Sequence, residues 1–77
     1  MELSPGFPEL FANRGLAYVK TGQPALAIDD FSAALAKNPK DALSMYNRGV
    51  AKQVMGDQTG ADVDMASARQ LDPNVGK

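Results

Sequence analysis

A shift of 34 residues brings nine identities into register between residues 8–41 and 42–75, and this duplication limits the possible folds more than any other feature. Asn13-Arg14-Gly15 falls on Asn47-Arg48-Gly49, Ala17 on Ala51, Gly22 on Gly56 and Ala27 on Ala61. Asp30 falls on Asp64, Ala34 on Ala68 and Pro39 on Pro73, with Leu16/Val50 and Phe31/Met65 as conservative matches. Chance gives roughly two or three matches in an Ala-rich chain, so Pro8–Asp41 and Ala42–Val75 read as copies of one unit.

Each unit divides into two helices. In the first copy Pro8 suits an opening helical position, and Phe11, Leu16, Ala17 and Val19 supply an apolar side. Gly22 stops that helix, and Pro24 opens another whose Ala27, Ile28, Phe31, Ala34 and Leu35 recur at spacings of three and four. Asn38-Pro39 ends it, because a residue before proline avoids the helical region. Gly56 and Asp72-Pro73 do the same work in the second copy. The pattern predicts an all-α fold of antiparallel helices near 8–21, 24–37, 41–55 and 58–71, in one domain over 1–77. A glycine inside a helix costs about 1 kcal/mol relative to alanine, so Gly15 and Gly49 need a packing reason. A close helix crossing, with Ala27 and Ala61 opposite them, supplies one.

Composition narrows the chemistry. With 44% apolar and 22% charged residues the chain suits a packed domain rather than disorder. It has no cysteine and no histidine, which removes disulfides, thiolate metal sites and the commonest general base. Ser4, Ser32, Ser44 and Ser67 therefore have no imidazole to activate them. Asp29, Asp30, Asp62 and Asp64 read as helix-surface charges, since Asp62 and Asp64, two apart, point to different sides. Gly22, Gly56 and Gly60 lack the spacing and lysine of a phosphate loop. No enzyme, cofactor or metal site is expected. Eight Lys/Arg scattered over a net charge of −1 form no basic stripe for nucleic acid, and no apolar run approaches a membrane span.

The period, the small residues at the crossing, the turn glycine and the closing proline resemble the tetratricopeptide repeat. Phe11, Gly15, Tyr18, Ala27, Phe31, Ala34 and Pro39 carry the likeness in the first copy. Met45, Gly49, Ala61, Met65, Ala68 and Pro73 carry it in the second. Lys52 in place of the aromatic residue at Tyr18, and Gly60 early in the last helix, depart from it and suggest a looser second unit. Arg14 and Arg48 stand where the family often has leucine, in step with Asp30 and Asp64. Two ion pairs, one bridging the helices of each hairpin, are expected: Arg14–Asp30 and Arg48–Asp64.

The resemblance implies a segment of right-handed α-solenoid whose first helices line a concave face that binds a peptide or helix of a partner protein. That face is expected to hold Ala12, Asn13, Leu16, Val19 and Lys20 from the first copy. Leu43, Tyr46, Asn47, Val50 and Gln53 continue it in the second. Asn13 and Asn47 match an asparagine that, in some long arrays, hydrogen-bonds the bound peptide's backbone. The carboxylate clamp of chaperone-binding members needs cations at places that hold Ala12, Leu16, Leu43, Tyr46 and Asn47, so an acidic chaperone C-terminus is not expected as ligand.

Self-association is the alternative reading. Two repeats without a capping helix leave Val63, Met65, Ala66 and Leu71 of the last helix short of cover, which a homodimer or further repeats of a longer array would supply. The closing Leu71–Lys77 looks similar to natural C-termini of bacterial repeat proteins. On that likeness the chain is expected to be the C-terminal part of such a protein, cytoplasmic or exported.

Overall fold

The computed structural model describes residues 8–76, and from Leu10 onward their side chains. Ser4 and Lys77, which entered the sequence reading, lie outside the described residues. Four helices follow one another: α1 (Pro8–Lys20), α2 (Pro24–Lys37), α3 (Ala42–Val54) and α4 (Gln58–Leu71). α1 packs on α2, α2 on α3 and α3 on α4, and α1 also touches α3. Among the described residues α4 touches α3 alone.

The boundaries follow local chemistry. Gly22 and Gly56 adopt φ of 77° and 90°, the left-handed region that costs an L side chain about 1 kcal/mol or more. Each closes the preceding helix with the same two bonds. Gly22 N–H reaches Val19 O at 3.2 Å and Gln23 N–H reaches Tyr18 O at 2.8 Å, while Gly56 and Asp57 do likewise with Gln53 and Lys52. α3 starts at Ala42 rather than 41 because Asp41 is its N-cap, with its carboxylate accepting from Ser44 N–H and Ser44 Oγ. Met55 serves as that helix's C-cap, and Thr21 lies in the turn after α1. Asn38 and Asp72, each before a proline, take extended ψ of 90° and 102° and end α2 and α4.

The core is built from small residues around one aromatic ring. Ala27, Phe31, Ala34, Ala51, Ala61 and Ala68 are completely buried. Ala27, Phe31 and Ala51 form a cluster that joins the hairpins, with Leu16, Tyr18, Val19 and Ile28 packed around it. A Cβ on Gly15 would come within 2.7 Å of the Phe31 ring, and one on Gly49 within 3.0 Å of both Ala61 O and Met65 Cγ. Each glycine is the crossing point of its hairpin, and Phe31 or Met65 fills the space it leaves.

The two departures of the second unit are accommodated by contacts of its own. Lys52 Nζ lies 3.0 Å from Asp64 Oδ2, adding a second cation to that carboxylate where the first unit has the Tyr18 ring. Gly60 donates its N–H to Asp57 Oδ1 at 2.9 Å, and a Cβ there would run into the same carboxylate. Its bare backbone makes room for the cap of α4.

Candidate functional site

Two faces of the first helices carry the chemistry. On the side towards the second helices, Arg14 Nε and Nη2 donate to Asp30 Oδ2 and Oδ1 at 2.7 and 2.8 Å. Arg48 Nε and Nη2 donate to Asp64 Oδ2 and Oδ1 at 2.8 and 3.0 Å, and its Nη1 reaches Ser32 Oγ of α2 at 3.2 Å. Both carboxylates are buried. The bidentate geometry matches the planar fork of guanidinium to a carboxylate. Burial by itself pushes the Asp64 carboxyl up, but hydrogen bonds from Arg48 and Lys52, with their charges, hold it below its ordinary value. The hydrogen bond from Arg14 to Asp30 and their attraction raise the Arg14 guanidinium above its ordinary range, so it stays charged.

The opposite side of the first helices is open. On α3, Leu43 and Val54 are 57% and 60% exposed, with Val50 half-buried between them. Residues 43, 50 and 54 fall on one stripe at helical spacing, flanked by Asn47 on one edge and by Tyr46 and Gln53 on the other. The matching stripe of α1 offers Ala12 and Leu16, with Asn13 on one edge and Val19 beside it, and Lys20 at its end. Leu16 and Val19 also pack on the core cluster and present only part of their surface. Neither Asn13 nor Asn47 has a side-chain hydrogen-bond partner among the described residues, so both amides stand ready to donate and accept.

Val54 belongs to this stripe although the repeat pattern does not point to it. Its mate in the first copy is Lys20, and the signal that finds it is its spacing of four from Val50. Tyr46 is less accessible than a groove position should be. Gly76 lies against its ring, the Arg69 guanidinium sits 5.8 Å from the ring centroid, and Val75 beside Gly76 is buried.

The structure does not gather Val63, Met65, Ala66 and Leu71 into one edge. Successive helical residues turn by about 100°, so these four point in different directions. Met65 turns inward against Gly49, and Val63 and Leu71 are exposed on the outer side. Ala66, Asp62 and Arg69 are the mates of Ser32, Ile28 and Leu35 on α2, of which Ser32 accepts a hydrogen bond from Arg48 of α3. Asp29 and Asp62 are exposed while Asp30 and Asp64 are buried, so neither neighbouring pair shares a site. Among the described residues no three His, Cys, Asp or Glu come together, and no helix is long and apolar enough to cross a membrane.

Against known proteins, a family model described as tetratricopeptide repeat matches residues 8–41. The chain carries a tetratricopeptide repeat. Residues 42–75, outside the matched segment, repeat its helices, C-terminal caps and glycine crossing, so the fold is two tandem helical hairpins of one plan. The chain is 33% identical over 72 residues to mouse FK506-binding protein-like, covering 90% of itself and 21% of that protein. It is 33% identical over 76 residues to the Arabidopsis thaliana TPR repeat-containing thioredoxin TDX, covering 96% and 20% respectively. With Drosophila melanogaster Hsc70-interacting protein 1 the identity is 38% over 72 residues, covering 94% and 19%. The chain thus spans about a fifth of the length of these relatives.

Proposed function

We propose that residues 1–77 form a single non-enzymatic interaction domain, which binds a peptide or helix of a partner protein on the open face of α1 and α3. The observation that carries this reading is the exposed stripe of Leu43, Val50 and Val54 beside Asn47, continued on α1 by Leu16 and Asn13. Apolar area to bury, next to amides without a partner among the described residues, is what a helix or extended peptide needs from a shallow groove. The ion pairs on the far side tie each first helix to its own second helix, and the Ala27–Phe31–Ala51 cluster with the Arg48–Ser32 hydrogen bond joins the hairpins, so the face is formed before the ligand arrives.

The Drosophila relatives are named for interacting with Hsc70, which makes a chaperone one partner to consider. The face described above offers aliphatic side chains and amides, with Lys20 its one cation among the described residues. An apolar-sided segment fits it better than an acidic tail does. The quoted relatives are animal and plant proteins and lend no support to a bacterial source.

The test is selection from a displayed random-peptide library on the intact chain, followed by titration of the best peptide. Val50→Asp and Asn47→Ala are expected to weaken its binding at least fivefold while circular dichroism and solution mass stay unchanged. Peptides that bind both variants as tightly as the parent chain would rule this face out.

A further inference from the structure

The two copies differ in where their sulfur lies. Residues 8–41 contain no methionine, whereas residues 42–75 hold Met45, Met55 and Met65. Two of these stand at the mates of aromatic residues, Met45 for Phe11 and Met65 for Phe31. At the first crossing the Phe31 ring lies against Gly15 and is completely buried. At the second, Met65 is half-buried, and its Cγ lies where it would come within 3.0 Å of a Cβ on Gly49. The sulfur is bonded to that carbon, so it sits one bond away from the contact that closes α4 on α3.

A thioether in this place can react with a peroxide, which a phenyl ring does not do under the same conditions. The sulfur lone pair attacks one oxygen of hydrogen peroxide and the O–O bond breaks. The second oxygen leaves as hydroxide, takes the proton of the first and becomes water, while the sulfur, oxidised by two electrons, keeps the first oxygen as a sulfoxide. That oxygen needs a hydrogen-bond donor. The donors around the neighbouring Asp64 carboxylate are already engaged: Arg48 and Lys52 hold Asp64, and Arg48 Nη1 holds Ser32. The sulfoxide must therefore turn out to water, leaving Gly49, or remain unpaired in the crossing at a cost in stability. Among the described residues α4 touches α3 alone, so no other helix retains it once this contact fails.

We propose that Met65 is an oxidation site whose sulfoxide releases α4 from α3 while α1 and α2 stay paired. Reductases of methionine sulfoxide reverse the conversion, which makes the second hairpin a redox-responsive element beside a peroxide-resistant first one. Because α3 carries Leu43, Val50 and Val54, loosening it also weakens the binding face proposed above, a consequence that rests on that reading. Met55, 53% exposed beside the Gly56 turn, is a built-in control that oxidises without disturbing the crossing.

The test exposes the full chain to hydrogen peroxide. Peptide mapping by mass spectrometry follows each methionine, and melting curves and hydrogen–deuterium exchange follow the fold. Conversion of Met65 is expected to lower the thermal midpoint by about 5 °C or more. Amide exchange in residues 58–71 should quicken about tenfold or more, with residues 8–37 changing by less than about twofold. Met65→Leu preserves volume and keeps Met1, Met45 and Met55, so it should fold and shift by less than about 2 °C under the same treatment. The double variant Met45→Leu/Met55→Leu should keep the full effect, and a sulfoxide reductase should restore the parent chain. Met65 that stays reduced when Met55 is fully converted would overturn the proposal. So would a Met65 sulfoxide that leaves the midpoint unchanged, or a loss as large in Met65→Leu as in the parent. A peptide selected on the intact chain separates the two readings. Its binding should fall on oxidation of the parent and persist in oxidised Met65→Leu. Faster exchange in 58–71 with binding unchanged would uphold the oxidation site and place the peptide off α3.

Discussion

Arg48 and Asp64 grip each other with two parallel hydrogen bonds, 2.8 and 3.0 Å long, across the crossing of α3 and α4. The carboxylate is buried, the Arg48 side chain is 23% exposed, and Lys52 approaches the same oxygen that takes Arg48 Nε. Such a pair stands between an exposed ion pair, which contributes little, and a fully buried one, whose desolvation cancels much of its attraction. A double-mutant cycle with Arg48→Ala and Asp64→Ala, read by urea unfolding, is expected to give a coupling of about 1 kcal/mol. The Arg14–Asp30 cycle should give less, since Arg14 is the more exposed partner. A coupling indistinguishable from zero in the second hairpin would mean that the bridge positions side chains without stabilising the fold.

The same carboxylate sets a pH dependence. Asp64 is held below its ordinary 3.8 in the folded chain, so the unfolded chain takes up its proton first as the solution is acidified. Its contribution is fully present above the unfolded value and disappears as pH falls from there through the folded one. Stability is therefore expected to be flat in this group from neutral pH to about pH 5 and to decline below that. Asp64→Asn should lower stability at pH 7 and flatten the acid limb, which urea midpoints at pH 7, 5 and 3 will read. An acid limb as steep in the variant as in the parent would place the responsible carboxylate elsewhere.

Gly15 and Gly49 test the helix crossings. Alanine is worth about 1 kcal/mol over glycine inside a helix, so on propensity alone both substitutions should stabilise. The surroundings reverse this. A methyl group on Gly15 meets the buried Phe31 ring, and one on Gly49 meets the backbone oxygen of Ala61. Overpacking of this kind costs about 1–3 kcal/mol, so a net loss of up to about 2 kcal/mol is expected at each site. Gly49→Ala should be the worse tolerated, because a backbone oxygen cannot turn aside. A higher thermal midpoint for either variant would show that the hairpin opens at little cost.

The fold was legible because the chain states it twice. Glycine, alanine and proline at a fixed 34-residue offset mark places where backbone geometry admits few alternatives, and those places became the turns, crossings and helix ends. Arg14 with Asp30, and Arg48 with Asp64, could be paired from the text because both members of each pair recur together. The surfaces were harder. Val54 was hidden because its mate is Lys20, and comparing copies favours what they share. Met65 read as an edge residue until the hairpin turned it onto Gly49, a matter of direction around the helix rather than of composition. Tyr46 read as groove lining because nothing in the helical periodicity shows that the segment after Pro73 turns back upon it.

That contact with Tyr46 alters what its removal should do. Both Arg69 and Gly76 lie against its ring, and Val75 is buried, so the segment after α4 packs against this side chain of α3. A groove residue cut to alanine should weaken ligand binding and leave stability alone. Tyr46→Ala is instead expected to lower stability by about 2–4 kcal/mol, as loss of a half-buried aromatic side chain does. It should also release residues 73–76 to faster amide exchange, read by hydrogen–deuterium exchange mass spectrometry. Gly76→Val, which drives a side chain into the ring while leaving the ring in place, should release the same segment at a smaller loss of stability. Exchange in 73–76 that is fast in the parent chain and unchanged in both variants would show that the contact does not hold in solution, and Tyr46 would return to the ligand-binding face.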